Sequence, residues 1–314
     1  MRVHVKTPSR LHLGILDLSG SLGRLYGSLG LSILTPSFEA VIEPSPSEVV
    51  IEPYDAFVKE AVERSRRVLG TSEGFAVKVV EKIPRHVGLG SGTQTLLGIA
   101  MGLASLLDVE ASVDELAAKL GRGTVSGVGT AVFKHGGFVI DGGLKPNKGR
   151  IPPTIVRVNF PERWHVVLAI PYGARGLSGW EEERAFRKIG RQPDWIAERI
   201  CRLVLMKLLP GILDEDIMEF GEALTEVQRL VGTYFSSVQG GIFSNELTRL
   251  CVETMLESGA AGSGQSSWGP TAYGFTDSAK AAERVASALR DVLSSKGRVL
   301  TTKASNSGAL IRRI

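Results

Sequence analysis

Two cysteines, Cys201 and Cys251, are too few for a disulfide framework, and both sit in apolar, helix-like stretches where a small buried thiol is the expected use. No stretch is apolar for the length that a membrane span needs. The first six residues alternate charge with valine where a secretory signal would carry an unbroken apolar core. These absences predict a cytoplasmic protein with no membrane partner. Charge of one sign is not concentrated either. The 37 Lys and Arg exceed the 33 Asp and Glu by a formal +4 that is spread along the chain, so nothing calls for nucleic acid. Aromatic residues are only 6%, yet apolar residues reach 43% against 22% charged, which excludes wholesale disorder and supplies buried cores. A length of 314 residues favours two domains over one.

Glycine is what the chain has in quantity. Its 37 glycines cluster at 20–30, 88–92, 121–143 and 259–274, where tight turns or close backbone approaches are expected. Short β-rich segments fill the first fifty residues, and residues 55–69 show helical spacing of apolar positions. A strand at 75–80 leads through a glycine-rich loop into an apolar helix from about 93 to 107. Residues 121–143 read as a glycine-punctuated turn and a hairpin with strands at 131–133 and 137–140. The Pro, Lys and Gly-rich stretch 145–153 is the expected boundary, giving domains 1–150 and 151–314. Strand, three long helices, a glycine-serine run and a strand-helix-strand close follow. This order predicts an α+β class and is a poor fit to a doubly wound nucleotide fold.

Gly88-Leu-Gly-Ser-Gly-Thr-Gln94 lies between a strand end and an apolar helix, so its last backbone N–H groups fall in an unpaired first turn. Such a turn attracts anions: the donors point outward, the helix dipole adds positive charge, and Gly88, Gly90 and Gly92 let a phosphate approach without meeting a Cβ. Ser91 and Thr93 can add hydroxyl donors, and Gln94 closes the motif; a simple capped turn is the alternative. No Gly-Lys-Ser/Thr ends the loop as in a P-loop, and the spacing is not Gly-x-Gly-x-x-Gly.

Pro84-Arg-His-Val-Gly-Leu-Gly-Ser-Gly92 resembles the phosphate loop of the GHMP kinases, which reads Pro-x-x-x-Gly-Leu-Gly-Ser-Ser. Pro8-Ser-Arg-Leu11 is similar to that family's first motif and Gly259-Ala-Ala-Gly-Ser-Gly264 to its glycine-rich third. Many members carry Ser-Gly-x-Asp ahead of the hairpin, the Asp acting as base toward the substrate hydroxyl. Here Ser126-Gly-Val-Gly129 puts glycine in that place, which removes this route to phosphoryl transfer.

The remaining motifs are Thr7-Pro-Ser-Arg-Leu-His-Leu-Gly-Ile-Leu-Asp-Leu18, Gly121-Arg-Gly-x-x-Ser-Gly-Val-Gly-Thr-Ala131, Gly137-Phe-Val-Ile-Asp-Gly-Gly143, Gln239-Gly-Gly-Ile-Phe243 and Gly264-Gln-Ser-Ser-Trp-Gly-Pro270. Together they resemble the β-ribofuranosylaminobenzene 5′-phosphate synthase family. The resemblance implies a two-domain GHMP-kinase-like fold, with a ribosomal-protein-S5-like N-terminal domain and a ferredoxin-like C-terminal domain. It implies transfer of phosphoribosyl from phosphoribosyl diphosphate to 4-aminobenzoate with loss of CO2 and diphosphate, in archaeal methanopterin biosynthesis. It further implies Mg²⁺ with the diphosphate, ligands unknown, and a homodimer. An ATP-dependent small-molecule kinase and a catalytically silent ligand binder on the same fold are the rival readings.

That chemistry needs donors for diphosphate and a carboxylate near an oxocarbenium-like ribosyl centre. Arg10 and Arg24 flank early strands and are candidate clamps, or surface charges. Asp17 and Asp141 are the candidate carboxylates; each is equally suited to a turn. His12 is expected to be partly buried and hydrogen-bonded. Glu181, Glu182 and Glu183 suit a helix N-terminus, and residues 175–179 a lid. Ser126, Gln239, Gly262, Gln265 and Ser266 are expected at the substrate through their motifs, and Trp268 either stacks on an aromatic substrate or anchors its loop.

Overall fold

The computed structural model describes residues 1–46, 48–146, 151–177 and 180–314, without the side chains of Trp180 and Glu183. Parts of the expected boundary stretch (147–150) and of the expected lid (178–179), and the Glu183 side chain, lie outside the described residues. In chain order the first elements are β1 (Val3–Asp17), β2 (Tyr26–Ser45), β3 (Val50–Glu52), α1 (Ala56–Leu69), β4 (Gly74–Glu81), α2 (Ser91–Leu106), α3 (Val113–Lys119), α4 (Val128–His135), β5 (Phe138–Asp141) and β6 (Thr154–Val158). Then come β7 (His165–Pro171), α5 (Trp180–Ile189), α6 (Asp194–Leu203), a π-helical turn (Val204–Leu208) and α7 (Leu209–Leu213). The chain closes with α8 (Ile217–Gln239), α9 (Glu246–Glu257), β8 (Gly262–Gln265), β9 (Ala272–Thr276), α10 (Ala279–Leu293), β10 (Gly297–Thr302) and β11 (Leu310–Arg313).

Local chemistry sets these boundaries. Asp55 accepts from the Phe57 and Val58 amides to start α1, and Gly70 ends it in the left-handed region. Asp216, Asn245 and Ser278 cap α8, α9 and α10 in the same way, and Gly240 ends α8 at φ 85°. The start of α2 is different: Gly90 precedes it at φ 76° and no side chain caps it, which leaves first-turn donors open.

The strands form two sheets. The first runs β11-β1-β2-β4-β3, with β5 on the other end of β2 and β6 beyond β5. The second is the antiparallel order β10-β7-β9-β8. With its helices it is a βαββαβ unit in strand order 4-1-3-2, the ferredoxin-like arrangement. Sheet membership does not divide at residue 150, because β6 and β11 both complete the first sheet. One apolar cluster runs through both sheets, from Leu11 and Leu13 in β1 to Phe160, Trp164, Phe220 and Val227.

Two elements depart from the sequence reading. Residues 131–133 belong to α4 and not to a hairpin strand, since Val128, Ala131 and Val132 fall at helical spacing and pack together with Val139. The glycine-serine run contains β8, where a Cβ at Gly262 would stand 2.4 Å from the Gly221 carbonyl oxygen of α8. Glycine there permits the helix to lie directly on the strand. No helix among the described residues is long and apolar enough to cross a membrane.

Candidate active site

Alternation along β1 builds one wall of the site. Leu11 and Leu13 point into the core, so Arg10, His12 and Gly14 share the opposite face. That face lines a cavity of about 160 Å³, closed by the first turn of α2, residues 122–126, α5, α8 and residues 265–268.

The phosphate loop is strapped to this wall. Arg10 Nη1 and Ser266 Oγ both donate to the Gly88 carbonyl, at 2.8 and 2.6 Å, and the Arg10 amide donates to the Leu89 carbonyl. Ser266 Oγ in turn accepts from the His12 amide at 3.0 Å. Gly88, at φ 86°, has the Ser266 carbonyl oxygen 2.3 Å from where its Cβ would be, and a Cβ at Gly90 would meet Arg10 Cγ at 2.6 Å. Only glycine fits either position. On the other side of the loop Gln94 Nε2 donates to the Gly129 carbonyl at 2.8 Å, joining α2 to α4.

Two guanidiniums converge on the α2 N-terminus. Arg10 is half-buried, and desolvation lowers its pKa to about 10, with Glu182 opposing the shift and Arg122 adding to it. Arg122 lies against the first turn of α2, 3.4 Å from where a Cβ at Gly92 would stand. Burial is also the main cause that lowers its pKa, Arg64 adding and Glu182 opposing. Its Nε is buried and has no hydrogen-bond partner among the described residues. Both arginines remain cationic at neutral pH, in a place prepared for an anion. Between them and the far end stands His12, whose pKa burial pushes down to about 3, helped by Arg10; its imidazole is neutral.

The far end is aromatic. Trp268, Phe235 and Phe186 pack edge to face, with ring centroids 4.8 to 5.7 Å apart, beside Ile15 and Val231. Trp268 Nε1 donates to Glu182 Oε1 at 2.9 Å. Glutamines fix the surrounding backbone. Gln228 donates to the Leu13 carbonyl and accepts from the Gln265 amide, Gln265 holds the Ser244 amide and the Ser267 carbonyl, and Gln239 donates to the Ile242 carbonyl.

Of the residues expected from sequence, Arg10, Thr93, Ser126, Gln239, Gln265 and Trp268 line the cavity. Gly88, Gly90, Ser91, Gly92, Gln94 and Ser266 form the loop and its straps. Four expected residues are elsewhere. Asp17 Oδ1 accepts from the amides of Ser19 and Gly20 and from Ser19 Oγ, a turn at the end of β1. Asp141 accepts from the Gly127 and Gly143 amides, and burial raises its pKa against those bonds. Arg24 donates to the Gly142 and Gly143 carbonyls. Gly262 packs on α8. None of the four lines the cavity, because each is consumed by a backbone turn or a helix contact.

Arg122, Glu182, Phe186, Gln228 and Phe235 are cavity residues the sequence reading did not assign. Arg122 alone had a visible signal, its place inside the Gly121-Arg-Gly motif. Glu182 is the one carboxylate lining the cavity among the described residues, and they contain no group of three His, Cys, Asp or Glu able to hold a metal ion.

Comparison with known proteins agrees with this layout. The GHMP kinases N terminal domain matches residues 56–137 and the GHMP kinases C terminal region matches 208–295. Two curated relatives are named beta-ribofuranosylphenol 5'-phosphate synthase. The one from Methanothermobacter thermautotrophicus is 34% identical over 98% of each chain, and the one from Archaeoglobus fulgidus is 37% identical over 98% of this chain and 99% of its own. Among solved structures, L. major mevalonate kinase in complex with R-mevalonate superposes with a TM-score of 0.75 at 12% identity, covering 96% of both chains. Homoserine kinase from Cytophaga hutchinsonii gives 0.67 at 18%, covering 99% of this chain and 97% of its own. At these identities the structures speak for the fold alone.

Proposed function

The chain belongs to the GHMP kinase family, and within it to the family of the beta-ribofuranosylphenol 5'-phosphate synthases that it matches end to end; from this we propose that it is a decarboxylating phosphoribosyl transferase. Its substrates on this reading are phosphoribosyl diphosphate and a para-substituted benzoate. The family resemblance implies the amine, 4-aminobenzoate, whereas the relatives' name carries a phenol and so favours 4-hydroxybenzoate. The ring carbon that bears the carboxylate attacks the anomeric carbon as the C–O bond to diphosphate breaks, its electron pair leaving with the diphosphate. Loss of CO2 then returns an electron pair to the ring and restores aromaticity.

What carries this reading is the division of the cavity into a cationic end and an aromatic end on one strand face. Arg10, Arg122 and the uncapped first turn of α2 bind and orient the diphosphate. Phe186, Phe235 and Trp268 receive the benzoate ring and exclude water. Arg10 and Gly14 are roughly 13 Å apart along an extended strand, room for both substrates to meet beside His12. A neutral His12 adds no positive charge where the ribosyl centre becomes cationic.

Mg²⁺ would supply charge neutralisation to the departing diphosphate. The described residues contain no group of three His, Cys, Asp or Glu that would cage it, so the ion would be brought and held by the diphosphate itself. A kinase reading lacks its base: Gly129 has no side chain and Asp141 is held by turn amides. Incubation with phosphoribosyl diphosphate and each benzoate should yield a C-riboside 5′-phosphate of the matching mass. Phosphorylation of an acceptor from ATP, with no riboside formed, would overturn the proposal.

A further inference from the structure

Transfer from the ribosyl centre calls for negative charge beside the anomeric carbon, and both aspartates read from the sequence for this task are turn anchors. Glu182 stands where they do not. It projects from the first turn of α5 into the cavity, while Glu181 in the same turn is exposed to solvent. Negative charge at a helix N-terminus is thus already provided by Glu181, and Glu182 is not needed for that.

The position of Glu182 follows from its neighbours. Trp268, whose indole N–H it accepts at 2.9 Å, is itself packed against Phe235 and Phe186 at the aromatic end. At the cationic end, both Arg10 and Arg122 experience its charge. A carboxylate bonded to one end and felt at the other occupies the junction between them. On the proposed reading that junction holds the bond being broken and the bond being formed.

We infer that Glu182 is a catalytic residue whose carboxylate faces the anomeric carbon and stabilises the cationic ribosyl centre as diphosphate departs, an assignment that rests on the transferase reading. Its bond from the Trp268 indole sets its direction. It forms no covalent bond: the electron pair of the C–O bond leaves on diphosphate, and the ring supplies the pair for the new C–C bond.

Glu182→Gln is the test, because the amide oxygen still accepts from Trp268 while the charge is lost. Steady-state kinetics of the full chain with phosphoribosyl diphosphate, Mg²⁺ and the benzoate that the wild type uses should show kcat reduced about 100-fold or more. KM for phosphoribosyl diphosphate should stay within about threefold, as expected when only a transition-state interaction is removed. Glu182→Asp, which retains the charge on a shorter arm, should recover part of kcat. The Mg²⁺ concentration for half activation should be the same in all three proteins. Unchanged kcat in Glu182→Gln overturns the assignment and leaves the transferase standing. So does a shifted Mg²⁺ requirement, which gives the carboxylate to the metal, or a loss in Glu182→Asp as deep as in Glu182→Gln, which makes the residue structural. A wild type that forms no riboside with either benzoate overturns the assignment and the transferase together.

Discussion

Asp141 is buried, yet each of its carboxylate oxygens is taken by a backbone amide, Gly127 on one side and Gly143 on the other. It ties the turn carrying Ser126 to the end of β5 and touches no substrate space. Asp141→Ala should therefore cost stability, about 1–3 kcal/mol for each amide left without an acceptor, read as a lower urea midpoint. An unchanged midpoint would mean that the turn holds without it. From sequence, Asp141-Gly-Gly and Asp17-Leu-Ser-Gly look the same whether the carboxylate faces a ligand or closes a turn, since local spacing does not say which way an oxygen points. His12 was more legible, because alternation with Leu11 and Leu13 fixes its face. Its pKa, pushed to about 3 mainly by burial, makes a pH prediction. Below the ordinary value near 6.5 the unfolded chain gains a proton that the folded chain refuses, so stability is full above that value and falls as pH drops toward about 3. Between pH 7 and 4.5 the wild type should lose about 2–3 kcal/mol more than His12→Gln. Equal losses in the two proteins would show that the imidazole protonates freely in place.

Among the elements, α2 was the most readable: a proline-bounded strand end, a glycine-rich loop and an apolar run give a helix whose start is open, and Leu96, Ile99, Ala100 and Leu103 are buried as that pattern requires. The helix α4 was misread because four glycines in nine residues suggest turns, while its apolar spacing extends over barely two helical turns. Its identity as a helix matters for position 129. Gly129 is in the first turn of α4 without a positive φ, and a Cβ there would lie 3.1 Å from Thr93 Cγ2, toward the cavity-lining Thr93. A carboxylate at 129 thus enters the anion end without backbone strain. Gly129→Asp should weaken phosphoribosyl diphosphate binding by about 1–3 kcal/mol relative to Gly129→Asn, which has nearly the same shape and no charge. Calorimetry on the two variants measures the difference. If they bind alike, the diphosphate is not held at this end.

At the scale of the whole molecule, the cavity is assembled from β1, the α2 loop, residues 122–126, α5, α8 and residues 265–268, which are far apart in the chain. Motifs marked the loop, Ser126, Gln265 and Trp268, because those positions sit in glycine-rich turns with recognisable spacing. The aromatic wall and Glu182 left no such mark: Phe186 and Phe235 are ordinary apolar positions on amphipathic helices, and only packing against Trp268 turns them toward the site. The same long-range assembly lets a kinase fold serve another reaction, since the open helix start can still hold an anion while position 129 carries glycine in place of a base. The most direct test of this account follows the carboxyl group. With phosphoribosyl diphosphate, Mg²⁺ and carboxyl-labelled 4-hydroxybenzoate or 4-aminobenzoate, the protein should release labelled CO2, diphosphate and C-riboside phosphate in equal amounts. Diphosphate released without CO2, or no CO2 from either acid while ATP drives phosphorylation of another acceptor, would contradict it.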